Sequence, residues 1–478
     1  MQRSKNRLLA LLGLMLVASL ALAACVAPTA APTDGDSMDS ESMDSESMDS
    51  ESMDGEMMDD VTLTIATVNN PNMKVMEELS PMFTEETGIN VEWVVLPENE
   101  LRAKVTTDVA TGAASFDVVT VGTFEVPIWG ENGWLNSIDD MAAANPDMVQ
   151  PDYDFDDLLP TVAAGLSVGD NLHAVPFYGE SSFTMYNKTI LDAAGLEMPD
   201  QPTWDEVREI ACAVHDPDNG VYGIALRGLP GWGQQMAVLT TVANTYGARW
   251  FDEEWQPQLD SPEWNEAVSF YASLLQDCGP PGASSNGFTE SLNLMTQGEA
   301  AIWVDATVAA GILAGTDVGP DMSQALAPVG PVAKGNAWLW SWSLAIPSTS
   351  ANAEAALRFV TWATSKDYIE IVADRDGWAS VPPGTRISTY ERQEYLDAAP
   401  FAQMTLDSML AADPNDSRRD PVPYTGVQFV AIPEFQGIGT DASQYIADAI
   451  AGNITVEEAL AQAQEATVAA MQDAGYID

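Results

Sequence analysis

The sequence predicts an α/β protein with two successive α/β regions. Three observations carry this. Strand-like and helix-like segments alternate from Val61 onward, a second alternation begins near Ala174, and 46% of the 478 residues are hydrophobic, enough for a large core.

The chain opens with Arg3, Lys5 and Arg7, followed by an apolar run from Leu8 to Ala24. This pattern predicts a secretory signal peptide over residues 1–25, too short to be a good permanent span. It closes on Leu22-Ala23-Ala24-Cys25, which resembles the bacterial lipobox. That signal implies lipidation of Cys25 and anchoring to the outer face of the cell membrane. The alternative is an ordinary leader with an incidental cysteine. Residues 26–60 repeat Ser-Met-Asp-Ser-Glu from Ser37, Ser42 and Ser47, with no Lys or Arg between Arg7 and Lys74. Such a segment cannot bury enough apolar surface to offset its chain entropy, so it reads as an extended acidic tether.

From Val61 the alternation Val61-Thr62-Leu63-Thr64-Ile65-Ala66-Thr67 predicts a strand. Asn72 to Glu86 reads as a helix with Met73, Met76, Leu79 and Phe83 on one face. A strand over Ile89–Leu96, a helix over Glu98–Thr111 and an apolar strand over Phe116–Val121 follow, completing a right-handed α/β unit. In the second region Phe183–Tyr186 is strand-like, and Thr203-Trp204-Asp205-Glu206 forms a capping box that starts a helix to about Val214. Later helices fit Pro262–Asp277, Ala351–Ser365 and Val456–Ala474. Cys212 and Cys278 fall near the ends of two of these helices, and in an exported chain they predict a disulfide, the alternative being two buried thiols.

The formal net charge of −54, from 72 acidic and 18 basic residues, opposes binding to nucleic-acid phosphates and anionic lipid surfaces. The two histidines, His173 and His215, form no zinc motif, and there is no nucleophile elbow, P-loop or dinucleotide fingerprint. No metal or cofactor is implied. The aromatic residues are more telling. Trp338-Leu339-Trp340-Ser341-Trp342 places three indoles on one side of an extended segment, a surface suited to the C–H faces of sugars and polyols. Other segments near predicted strand ends mix aromatic and polar residues. They hold Asn70, Thr123 with Glu125, Tyr178 with Glu180, Arg227 with Trp232, Asp305, Asn336 and Trp378. In α/β sheets ligands bind beyond the carboxyl ends of strands. A carboxylate there accepts from vicinal hydroxyls and an arginine offers a fork of donors. For each segment alone, ligand contact and local structure are equally good readings.

In this order the segments resemble the extracellular solute-binding proteins of the family that includes maltose-binding protein, and most of all its polyol (mannitol/sorbitol) branch. The carrying residues are Ala66-Thr67-Val68-Asn69-Asn70, Lys104-Val105-Thr106-Thr107-Asp108, Phe124-Glu125-Val126-Pro127-Ile128-Trp129, Gly247-Ala248-Arg249-Trp250-Phe251, the run from Gly279 to Phe288, and the run from Phe429 to Gly437. The resemblance implies a two-lobed periplasmic-binding-protein-like (Venus flytrap) fold, hinged by segments crossing near Pro176 and near residues 338–347. The implied lobes are 61–176 and 343–388 for the first, and 177–342 and 389–478 for the second. It further implies a monomer that captures a small neutral polyol by hinge closure and presents it to the permease and ATPase subunits of an ABC importer. Tyr178, Trp232, Trp338 and Trp340 would stack, while Asn70, Glu125, Glu180, Arg227, Asp305 and Asn336 would hold hydroxyls. Three other readings remain open: a mono- or disaccharide ligand, an exported glycosidase using Glu125, Glu180 or Asp305, and a scaffold lipoprotein without a small ligand.

Overall fold

The computed structural model describes residues 61–478, so the predicted signal peptide, Cys25 and the acidic repeats lie outside the described residues. The first lobe begins with β1 (Thr62–Val68), α1 (Pro71–Thr87), β2 (Asn90–Leu96), α2 (Glu98–Thr111) and β3 (Val118–Gly122). β1 lies between β2 and β3 and is parallel to both. Local chemistry sets the helix limits. The Asn70 side chain caps α1 by accepting from the Met73 amide at 2.9 Å, with Pro71 in the first turn, where its missing N–H costs nothing. Gly88 ends α1 at φ 78°, a left-handed conformation that side chains resist. The apolar stripe of Met73, Met76, Leu79 and Phe83 is buried, and Phe83 meets Phe359 and Trp362 at 5.2 and 5.4 Å between ring centroids.

A two-residue pair, β4 (Ser167–Val168) and β5 (Asn171–Leu172), precedes β6 (Ala174–Glu180). Only Ser181 separates β6 from β7 (Ser182–Asn187), so here the chain leaves one sheet and enters the other. β8 (Tyr222–Ala225), β9 (Ala300–Ala306) and β10 (Met322–Leu326) complete the second sheet, in the order β10-β7-β9-β8. β11 (Trp340–Ala345) then returns to the first sheet, antiparallel to both β3 and β6, giving β2-β1-β3-β11-β6. The two lobes are thus joined through neighbouring strands, β6 and β11. The pairing slips between Trp342 and Ser343.

Most predicted boundaries agree with the structure to within two residues, and the capping box at Thr203 and Glu206 is formed. Two strand starts are shifted for physical reasons. β3 starts at Val118 because Asp117 turns aside to accept from the Thr64 amide and the Ser350 hydroxyl. β11 starts at Trp340, so Trp338 stands in the approach to the strand. The helix Gln235–Thr245 has no exposed face, every residue being buried, so no amphipathic period announces it. Cys212 and Cys278 are joined by a disulfide, with Cα atoms 5.1 Å apart, tying the helix Trp204–Val214 to the helix Pro262–Cys278. The helix Ala353–Ala363 packs back onto α1 in the first lobe, and the last two helices, Phe435–Ile450 and Val456–Asp473, pack on Pro262–Cys278 in the second.

Candidate functional site

A cavity of about 280 Å³ lies where the two lobes face each other. The first lobe contributes Asn70, beyond the end of β1, and the first turns of α2. The second contributes the loop after β8. β6 and β11 form the back wall with Tyr178, Glu180, Trp340 and Trp342. The loop after β8 crosses to α2. Gln234 donates to Glu98 Oε2 at 2.8 Å, and Asn99 donates to the Pro230 carbonyl at 3.0 Å. Gly233 permits this approach, since a Cβ there would run into Glu98 and Arg102. The lobes are closed over the cavity.

One wall is built on Arg102. Its guanidinium is paired with Glu98 on α2 and with Glu125. It also lies 4.2 Å from the Trp232 ring, 4.6 Å from Trp342 and 4.9 Å from Trp340. Carboxylates on one side and π-faces on the other keep the charge satisfied away from water. Glu125 also accepts from the Gly122 amide. Gly122 itself must lack a side chain, because a Cβ there would overlap the Trp340 indole.

The opposite wall is built on Arg227. It is held bidentately by Asp305, at 2.8 and 2.5 Å, and donates to the Gly233 carbonyl at 3.0 Å. Burial opposes its charge, but the Asp305 carboxylate outweighs that, with help from Glu98 and Glu180, so the guanidinium keeps its proton more firmly than in water. Asp305 also accepts from the Trp303 indole and is wholly buried.

Glu180 is different. Its side chain, 6% exposed, reaches the cavity and has no hydrogen-bond partner among the described residues. Burial pushes its carboxyl well above the usual range; Arg227 pulls it back down in part, and Asp305 and Glu98 push it further up. Burial and the nearby Glu180 and Glu98 likewise raise the Tyr178 phenol, which accepts from the Asn70 amide at 3.0 Å.

Of the residues singled out in the sequence, Asn70, Tyr178, Glu180, Arg227, Trp232, Trp338 and Trp340 line the cavity. Asp305 and Glu125 do not; each stands behind an arginine and orients it. Thr123 is buried against Gly165, away from the cavity. Asn336 turns away to donate to the Ala327 carbonyl, and Trp378 lies under the Arg392 guanidinium, outside the cavity. Sequence reasoning missed Arg102, Glu98, Gln234 and Gln428, all cavity-lining. Arg102 and Glu98 sit four apart on α2, a spacing that signals an ion pair but not its place in a site. No group of three or more His, Cys, Asp or Glu among the described residues could hold a metal ion, and no described helix is long and apolar enough to cross a membrane.

The model of the bacterial extracellular solute-binding protein family matches residues 70–370. The chain is 50% identical over 419 residues to a mannitol-binding protein of Pseudomonas aeruginosa, covering 87% of this chain and 94% of the relative. This chain belongs to the bacterial extracellular solute-binding protein family. Among solved structures, a solute-binding protein of an ABC transporter from Agrobacterium vitis, with bound D-mannitol, superposes with a TM-score of 0.84 at 52% identity, covering 87% of this chain and all of that one. A ribitol complex from Agrobacterium radiobacter, at 24% identity and a TM-score of 0.74, shares the fold. The cavity lies between the two lobes, bounded behind by the strands that join them.

Proposed function

We propose that this solute-binding protein captures a linear polyol of the mannitol class in the cavity between its lobes and delivers it to an ABC importer. The observation that supports this most strongly is a small buried cavity walled by indoles and lined by fixed donors and acceptors, in a chain half identical to a mannitol-binding protein. Indole faces suit the C–H side of a hexitol, and Arg227, Asn70, Gln428 and Glu180 face the cavity where hydroxyls would lie. At about 280 Å³ the cavity sits at the small end of ligand sites, which favours a single hexitol over a disaccharide. Binding across both lobes would favour the closed state by differential affinity, and the importer would read that state.

On this reading the protein performs no chemical step. The lobes divide as 61–176 with 343–388, and 177–342 with 389–478. Cys25 carries the lipid anchor, residues 26–60 act as the tether, and the chain works as a monomer. A thermal-shift screen of mannitol, sorbitol, arabitol, glucose, maltose and trehalose tests the ligand class. Ligand at about a hundred times its Kd adds about 2.7 kcal/mol of stability. A shift with hexitols is expected, and a shift with disaccharides alone would move the substrate.

A further inference from the structure

The cavity carries an excess of negative charge that a neutral polyol leaves unanswered. Five carboxylates line it or stand directly behind its wall: Glu98, Glu180, Glu290, Glu125 and Asp305. Two cations face them, and both are committed, Arg227 to Asp305 and Arg102 to Glu98 and Glu125. Glu290 is engaged by the Gly287 amide at 2.9 Å. That leaves Glu180 as a buried carboxyl aimed into the cavity with no partner of its own. The groups around it are Tyr178 on its own strand, Glu98 and Arg102 from α2, Arg227 from the loop after β8, and Asp305 from β9.

We infer that the cavity also accepts amino-polyols, in which a terminal hydroxyl is replaced by a primary ammonium seated against Glu180, and that it rejects the corresponding polyol acids. This rests on the polyol reading above. An ammonium would supply the missing charge and three donors, where Glu180 offers only acceptors once ionised. A carboxylate ligand would add a negative charge to a cavity that already holds Glu98 and is backed by Asp305, with both arginines already taken, so like-charge repulsion would stand uncompensated. The two ligand types also differ in proton balance. Burial and the neighbouring acids shift Glu180 towards its protonated form in the free protein, against the pull of Arg227. Seating an ammonium ionises it, and the released proton goes to solvent. Amine affinity therefore rises by up to about tenfold per pH unit while Glu180 is protonated in the free state, whereas mannitol exchanges no proton.

The experiment is calorimetric titration of D-mannitol, its terminal amine analogue and mannonate, between about pH 5 and pH 8 and in two buffers of different ionisation heat. The expected result is binding of mannitol and of the amine, about one proton released with the amine alone, amine affinity climbing with pH, and no measurable binding of mannonate. Glu180→Gln should lower amine affinity at least tenfold more than mannitol affinity. Mannitol binding with no amine binding, or amine binding without proton release, overturns the inference and leaves the polyol reading standing. Tight mannonate binding overturns the inference as well. Failure of mannitol and amine alike overturns the polyol reading and this inference with it.

Discussion

Asp305 was legible in the sequence as a polar residue at a strand end, yet it holds Arg227 rather than facing the ligand. Both are buried, and the Asp305 carboxylate fixes the Arg227 guanidinium in place. Asp305→Asn leaves a buried guanidinium without its counter-charge, so a loss of about 3–5 kcal/mol is expected in chemical denaturation, together with weaker ligand binding. Unchanged stability would mean that the guanidinium finds another partner. Trp340 is a contact of another kind. It lines the cavity and lies 4.9 Å from the Arg102 guanidinium. Trp340→Ala should weaken polyol binding by about 2 kcal/mol, roughly thirtyfold, in a direct titration. Arg102 was not legible. Its ion pair reads as a helix-surface pair, and only the packing of the loop after β8 against α2 places Trp232 over it. A contact made between segments more than a hundred residues apart leaves no local pattern.

The elements were legible wherever one face is buried and a cap marks the end, as at α1 with Asn70 and at the helix begun by Thr203. They were illegible where burial is complete, as in Gln235–Thr245. Two devices that join elements carry predictions. The disulfide closes a loop between cysteines 66 residues apart, and chain entropy puts its contribution at about 4 kcal/mol. The Cys212→Ala/Cys278→Ala double variant should show that loss in denaturant unfolding, and a loss below about 1 kcal/mol would contradict it. The other device is Asp157, which accepts from the Ser388 amide and hydroxyl at 2.8 and 2.7 Å and pairs with Arg386. Burial raises its carboxyl, but the Ser388 bonds, Arg386 and Lys366 together hold it below the usual carboxylate range. Its folded-state pKa is depressed, so its contribution is present above the unfolded pKa and is lost as pH falls through the folded one. Asp157→Asn should flatten that part of the acid limb of a stability-versus-pH curve, and an unaltered limb would remove Asp157 from it.

At the level of the molecule, the order of segments pointed to two lobes and a crossing near Pro176, and β6 and β11 join the two sheets. The closed arrangement was not legible, because it rests on single bonds such as Gln234 to Glu98 and on the absence of a side chain at Gly233. Glu180 makes folding stability sensitive to pH in the opposite sense to Asp157. Its folded-state pKa is raised, so the folded form is favoured below its unfolded pKa and that advantage is lost as pH rises through the folded one. The proposed function turns on whether a polyol occupies the cavity. The deciding measurement is calorimetric titration of the protein, stripped of bound solute, with D-mannitol, alongside the Trp340→Ala variant. The account predicts saturable one-to-one binding to the wild type and about thirtyfold weaker binding to the variant. No saturable heat with the wild type, or equal affinity in the two proteins, would contradict it.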